Sequence, residues 1–416
     1  MKRILILTIT AGNGHNACAK VMKNKLEELG ECEVKIVDLL KEFSTPSKVW
    51  TSDTGYSLCV SRVLPLYNAF FNRYLKAKNY NRYKCPPQFS VMTALNGLMQ
   101  EILSFKPDVI YGTHFYCSIA LTDLKLTYDL PCKTVATCLD YLVSPFWESG
   151  IGVDYFNVSV DDLTEEILSE GYRPEQLLKF GIPVDGRTLE TVDKTEAKKK
   201  LGLDENVFTF TVMFGGGAWS GGLKIFKQTI KALKGKTAQV IMINGKHTRD
   251  FKKIAKMKFA ENLKVINVGF TEEVPLYLSA SDVVITKCRG LSSTEIINKR
   301  LPIIVTEKLP AQEKYNLDYL KEKGVALSFK NEKELKAHIL RLMDEPEYLR
   351  QLIDNAEPLR KPALDGLANF ILALPNADYT ELDKLNIDVA KTKKAAKAAI
   401  NAAHKRERAT RNKKSR

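Results

Sequence analysis

Five histidines occur in the 416 residues, and two of them directly follow apolar runs. His15 comes after the run Ile4 to Ile9 and the turn Gly12-Asn13-Gly14; His114 comes after KPDVIYGT. Asp140 closes a third apolar run, VATCLD. In an open parallel sheet, ligands sit beyond the carboxyl ends of the strands, so these three side chains would line one crevice. Imidazole and carboxylate are the side chains best suited to moving protons near neutral pH. His247, His338 and His404 have no such placement and read as structural or solvated. GNGH is not GxGxxG, and a glycine turn after a strand also serves as plain fold punctuation.

A second constellation lies in GFTEEVPLYLSASDVVITKCRGLSSTEIINKRLPIIVTEKLPAQEKYNLDYL. The strand VVITK ends in a turn carrying Gly290, and LSSTE opens a helix. Ser292, Ser293 and the first-turn N–H groups could hold a diphosphate, since a helix N-terminus favours an anion. Thr286, Lys287 and Leu291 belong to the same candidate set. Gly14, Gly216 and Gly217 join it from turns where backbone can approach a ligand closely. Glu295, one turn into the helix, could accept both hydroxyls of a ribose diol. Gln312 and Glu313 sit on the loop after LPIIVTE, placed to hold sugar hydroxyls.

The elements that must position these residues alternate. ILILTIT, CEVKIVDLL, KPDVIYGTHF, PCKTVATCLDY, VDYFNVSV and LLKFGIPV read as strands, with a helix over 14–30 and another near 91–104. After Gly186 the pattern restarts with VFTFTVMFGGGAW, TAQVIMING, NLKVINVGF, SDVVITKCRG and LPIIVTE. Strands alternating with helices give a doubly wound parallel sheet, and two such units imply two Rossmann-like α/β domains facing across a cleft. The expected organisation is 1–185, 186–375 and a tail 376–416. The tail is helix-prone or disordered, with no apolar face wide enough for a core. The start, Lys2-Arg3 before a short apolar run, reads as the first strand rather than a signal peptide. No run reaches the ~18 apolar residues a membrane span needs. The eight cysteines are scattered without CxxC, which fits reduced thiols and neither a disulfide frame nor a zinc site.

The net charge is +14. Residues 389–416 carry eleven Lys/Arg and one acid, and residues 46–88 carry seven and one, which leaves the remainder nearly neutral. Positive charge concentrated in two places points to a polyanionic partner, either nucleic acid or an anionic membrane. The 46–88 segment also holds eight aromatics, among them Trp50, Tyr67, Phe70, Phe71 and Tyr74, interleaved with Arg73 and Lys76. That mixture at helical spacing suits an interfacial helix with rings among headgroups. Its plain alternative is a helix packing its rings into the N-terminal core.

These motifs resemble glycosyltransferase family 28 with the two-domain GT-B fold, most closely the monogalactosyldiacylglycerol synthases and bacterial processive diacylglycerol glucosyltransferases. The C-terminal string resembles that family's Ser-Asp before a strand, its Lys and glycine turn, its Ser/Thr–Glu helix start, and its Pro-small-Gln-Glu loop with a later Asn. GNGHNACA resembles the family's Gly-Gly-His-Ala-Ser-Ala start, and LDYLVSPFWESGIGVDYFNVSVDDLTEEILSEGY its mid-chain stretch. The likeness spans about 1–375. Three departures stand out. Lys287-Cys288-Arg289-Gly290 replaces Lys-Pro-Gly-Gly, Pro310-Ala311-Gln312-Glu313 replaces Pro-Gly-Gln-Glu, and Leu139-Asp140-Tyr141 lacks a following His before the Trp.

The resemblance implies inverting transfer of a hexose from a UDP-sugar, UDP-glucose or UDP-galactose, to diacylglycerol. It implies a cytoplasmic enzyme on the inner membrane face with no metal or other cofactor. His15 would then face the donor as base, with Asp140 orienting it or serving as base itself. His114 and the 46–88 residues fall on the acceptor and membrane side. A basic tail beyond the catalytic fold would tether the chain to anionic lipid, and no nucleic acid is expected. Two other enzymes share the fold implied: a peptidoglycan-precursor N-acetylglucosaminyltransferase and a nucleotide-sugar 2-epimerase. A nucleic-acid-binding protein is the non-enzymatic alternative, but it leaves the nucleotide-sugar string unexplained.

Overall fold

The computed structural model describes residues 1–10, 14–44, 63–75, 86–190, 192–214 and 221–414. The first half forms a six-stranded parallel sheet. Strand β1 (Lys2–Thr8) leads into helix α1 (Gly14–Leu29) and strand β2 (Cys32–Asp38). Helices α2 (Leu64–Leu75) and α3 (Leu95–Phe105) precede β3 (Val109–Gly112) and α4 (Phe115–Thr127). Strands β4 (Lys133–Thr137), β5 (Tyr155–Asn157) and β6 (Leu177–Leu178) complete the order β2-β1-β3-β4-β5-β6. Ile4, Leu5, Ile6 and Leu7 are all fully buried. Consecutive burial of that kind marks a strand covered on both faces, as parallel sheets require.

The second half repeats the plan. Its elements are β7 (Thr209–Met213), α5 (Gly222–Ala232), β8 (Ala238–Ile243), α6 (Thr248–Ile254), β9 (Leu263–Val268), β10 (Val283–Thr286), α7 (Gly290–Asn298), β11 (Ile303–Thr306), α8 (Ala311–Glu322) and β12 (Ala326–Phe329). The parallel order is β12-β11-β10-β7-β8-β9. In each sheet the strand order reverses once, between β1 and β3 and between β7 and β10. Such a switch point opens a crevice at the strands' carboxyl ends. His15 follows β1 and His114 follows β3; the 287–290 turn follows β10. Register pairs Leu7 with Gly112 and Thr286 with Met213, so the two ends of each switch are level.

The chain then returns to the first domain. Helix α9 (Ala363–Ala373) packs on α1, where Lys25 pairs with Asp365 at 3.0 Å. Ala377 N–H donates to Asp108 at 2.8 Å and the Tyr379 hydroxyl to the Pro107 carbonyl at 2.8 Å. Helix α10 (Thr392–Lys414) lies on α3 and α4. This corrects the expectation of a tail lying off the catalytic fold. Thr392, Ala396 and Ile400, spaced four apart, form a buried stripe. Small side chains let the helix approach closely, so a stripe too narrow for a core of its own completes an existing one. Lys393 N–H donates to Asn96 Oδ1 at 2.8 Å, and Asn96 Nδ2 donates to the Ala390 carbonyl at 3.1 Å.

The charge reading is also revised. Residues 221–260 contain eleven Lys/Arg and a single acid, Asp250. This third basic concentration is offset elsewhere, so summing the remainder hid it. Lys224, Lys227 and Lys231 of α5 line a groove with Arg249 and Lys253 at α6. Among the described residues no helix is long and apolar enough to cross a membrane.

Candidate active site

His15 lies in the first turn of α1. A Cβ at Gly14 beside it would meet nothing within 4 Å, so the turn is open on that side. The His15 Nδ1 lies 2.6 Å from the Thr113 carbonyl. A carbonyl only accepts, so Nδ1 carries the proton and Nε2 keeps its lone pair. Burial lowers the His15 pKa to about 4; the Thr113 bond opposes this and the Arg289 charge reinforces it. The ring is therefore a neutral imidazole of fixed tautomer.

His114 lies beside His15. Its ring stands 4.5 Å from that of His15, centroid to centroid, edge to face. It caps α4, accepting at Nδ1 from the Tyr116 N–H at 3.1 Å, which leaves the proton on Nε2. Burial, with His15 beside it, holds its pKa well below the usual value.

Asp140 does not orient His15, as the sequence reading allowed; the Thr113 carbonyl does. Asp140 Oδ1 instead accepts from Asn316 Nδ2 at 2.8 Å, across the cleft. Asn316 also accepts from the Tyr141 N–H at 2.8 Å and donates to the Cys288 carbonyl at 3.1 Å. Burial raises the Asp140 pKa, against the pull of Asn316. One amide thus joins the end of β4 to the end of β10. The Tyr141 hydroxyl adds a 2.7 Å bond to Thr294.

The donor side is only partly as expected. Gly290 opens α7 where a Cβ would fall on the Leu139 carbonyl oxygen of the other domain, so no other residue fits the present closure. The Thr286 hydroxyl donates to the Met213 carbonyl, joining β10 to β7, and is buried. The Ser293 hydroxyl is buried and donates to the Cys288 sulfur at 3.8 Å. Leu291 and Ser292 keep partial exposure at the helix start. Glu295 is pushed up to about 7 by burial and by Asp185.

Lys287 is 3% exposed, and burial lowers its pKa to about 7; Glu313 opposes this and Arg289 reinforces it. Glu313 is 4% exposed. Its Oε1 accepts from Arg289 Nε at 2.9 Å, while Oε2 is buried with no hydrogen-bond partner among the described residues. A buried carboxylate oxygen left so costs free energy that a ligand hydroxyl would recover. Gln312 Oε1 accepts from the Tyr67 hydroxyl at 2.6 Å.

Arg289, Asn316 and Thr113 were missed as site residues in sequence. Arg289 had a signal, a cation in place of the family's first glycine just before a helix start. The membrane assignment of 46–88 is revised where the structure describes it. Phe71 is buried, Tyr67 reaches Gln312, and Leu66 and Arg73 are exposed. Phe70 and Tyr74 lie on α2, but their side chains, like Trp50, Lys76, Gly216 and Gly217, lie outside the described residues. Among the described residues no group of three His, Cys, Asp or Glu could hold a metal ion.

Residues 15–184 match the family model described as Monogalactosyldiacylglycerol (MGDG) synthase, and residues 193–358 that of Glycosyl transferases group 1. The chain is a two-domain glycosyltransferase. A processive diacylglycerol beta-glucosyltransferase of Staphylococcus saprophyticus is 27% identical over 369 residues, covering 87% of this chain and 90% of the relative. One from Bacillus subtilis is 25% identical, covering 86% and 91%. Among solved structures, Acinetobacter baumannii MurG superposes with a TM-score of 0.59 at 13% identity, covering 89% of this chain and 99% of that one. A UDP co-structure of S. aureus MnaA gives 0.56 at 14% identity, covering 91% and 100%. Likeness at that identity establishes the GT-B fold of the transferase and leaves the choice of substrate to the site.

Proposed function

We propose that this transferase moves a hexosyl group from a UDP-sugar to the hydroxyl of diacylglycerol, with inversion, at a membrane surface. The supporting observation is the opposition of a neutral imidazole, its Nε2 lone pair left open, to the Arg289–Glu313–Lys287 cluster of the other domain. Nε2 takes the hydroxyl proton as that oxygen attacks the anomeric carbon. The bond from that carbon to the diphosphate breaks, and UDP leaves with the electron pair. The first-turn N–H groups of α7, with Lys287 and Arg289, stabilise the departing charge. An arriving diphosphate restores Lys287 to its charged form. Glu295 accepts the ribose hydroxyls, and Gln312 and Glu313 hold the sugar.

The acceptor is inferred from the N-terminal family match and from the names of the relatives over most of the chain. The exposed edge of α2, with Leu66 and Arg73, and the basic end of α10 supply the membrane contact. Radiolabelled UDP-glucose or UDP-galactose incubated with diacylglycerol vesicles, followed by lipid chromatography, tests the reading. A labelled glycolipid appearing with one donor supports it. Isomerised UDP-sugar formed without diacylglycerol would favour an epimerase instead.

A further inference from the structure

Helix α8 carries Gln312 and Glu313 in its first turn, and the residue at its cap position is Pro310, which makes no side-chain cap bond. The first N–H groups of a helix have no acceptor within it. At Ala311 that acceptor comes from the opposite domain: Asn68 Oδ1 lies 2.8 Å from Ala311 N. The same amide donates from Nδ2 to the Leu309 carbonyl at 3.1 Å. Asn68 thus grips the backbone on both sides of Pro310. Only one orientation of its amide satisfies a donor on one side and an acceptor on the other.

Two neighbours on α2 repeat the contact. The Tyr67 hydroxyl donates to Gln312 Oε1 at 2.6 Å, and the Tyr315 hydroxyl donates to Asn72 Oδ1 at 3.4 Å. Phe71, one turn from Tyr67 on the same face of α2, stacks on the Tyr67 ring with centroids 6.1 Å apart and is buried. Tyr67, Asn68, Phe71 and Asn72 thus share one face of α2, and that face is hydrogen-bonded to the sugar loop and α8.

We infer that Asn68 is a positioning residue, a helix cap supplied across the cleft that sets the first turn of α8 against the donor sugar. This rests on the proposed assignment of Gln312 and Glu313 to that sugar. The cap connects the two substrates, because α2 is also the helix whose outer edge, with Leu66 and Arg73, faces solvent. These bonds of Tyr67, Asn68 and Asn72 all go to residues 309–315, and none of them goes to the nucleotide helix α7. Replacing Asn68 should therefore loosen the sugar contacts and leave the nucleotide contacts alone.

The test titrates the full chain with UDP, UDP-glucose and UDP-galactose by calorimetry. Asn68→Ala should weaken the preferred UDP-sugar by about tenfold, the scale of a lost helix cap, with UDP changed by less than about twofold. Gln312→Ala should show the same split. The double variant should lose no more than the worse single variant, since both changes act through one turn. Tyr67→Phe keeps the ring packing of α2 and should give a smaller loss of the same kind. It serves alone if Asn68→Ala does not fold. Normal UDP-sugar binding by Asn68→Ala beside a weakened Gln312→Ala overturns the inference, as does an additive double variant or an equal loss for UDP. Normal UDP-sugar binding by Gln312→Ala would instead bring down the sugar assignment itself.

Discussion

His15 Nδ1 and the Thr113 carbonyl are 2.6 Å apart, and this one bond decides which nitrogen of the ring can act as a base. The bond leaves the lone pair on Nε2, while burial keeps the ring uncharged down to about pH 4. His15→Ala should lower turnover by about 10²–10⁴-fold while UDP affinity holds, because a base acts in the transition state. The pH dependence carries its own sign. The base step needs the neutral ring, so kcat at saturating UDP-sugar should fall only as pH drops through about 4, not through the ordinary histidine value near 6.5. Arg289→Ala removes a cation that depresses this pKa, so its acid limb should move to higher pH. An acid limb near 6.5 in the wild-type kcat at saturating UDP-sugar would contradict the assignment.

Glu295 titrates in the opposite sense. Burial and Asp185 raise its pKa to about 7, so the carboxylate that can accept two ribose hydroxyls forms only as pH rises past that value. Glu295→Gln should weaken UDP binding by about 1.5–3 kcal/mol at pH 8, the range for hydrogen bonds to a charged group. The difference between wild type and variant should shrink toward pH 6. Calorimetric titration of both proteins across that range checks it; a constant difference would remove Glu295 from the ribose.

Gly290 and Leu139 come from opposite domains, and their contact leaves no room for a methyl group. The obstacle is backbone, which cannot rotate aside. Gly290→Ala should therefore hold the domains apart. Separation would also break the Asn316 bond to Asp140 and the Tyr141 bond to Thr294. We expect transfer to fall by more than about 10²-fold, since misplacing reacting groups by an ångström has effects of that order. Small-angle scattering should show a larger radius of gyration than wild type. Unchanged scattering together with full activity would mean that the closed contact is not part of the working cycle.

Sequence made the strand ends legible because their signals are local. An apolar run followed by glycine and a polar residue marks the end of a strand wherever the rest of the chain lies. Hence His15, His114 and the 287–290 turn were located at the two switch points, and Asp140 just beyond the neighbouring β4. Facing was not legible. Ser293 differs from Ser292 only by one helical step, yet that step turns its hydroxyl toward Cys288 and away from the cleft. Partnership over long separations was not legible either. Asn68 and Ala311 are 243 residues apart, and no periodicity connects them. The stripe of Thr392, Ala396 and Ile400 failed as an amphipathic signal because it is narrow and two of its members are small.

That stripe changes what truncation should do. Removing everything after Ala390 takes away Thr392, Ala396 and Ile400, all buried against the first domain. Burying one isoleucine contributes about 1.5–3 kcal/mol, and a domain of this size loses about 2–4 °C per kcal/mol. Such a protein should melt several degrees lower even without lipid. Truncation after His404 keeps the stripe and removes seven Lys/Arg and one Glu. It should melt like the full chain and keep its activity on detergent-dispersed diacylglycerol. Near an anionic bilayer each of those cations contributes on the order of 1 kcal/mol, screened by salt. The shorter truncation should therefore sediment less with phosphatidylglycerol-containing vesicles at low salt and be unchanged on neutral vesicles. If it sediments as well as the full chain, the end of α10 is not the tether. The membrane contact would then rest on the exposed edge of α2 and on the basic groove between α5 and α6, which Lys227→Glu and Lys253→Glu would test in the same assay.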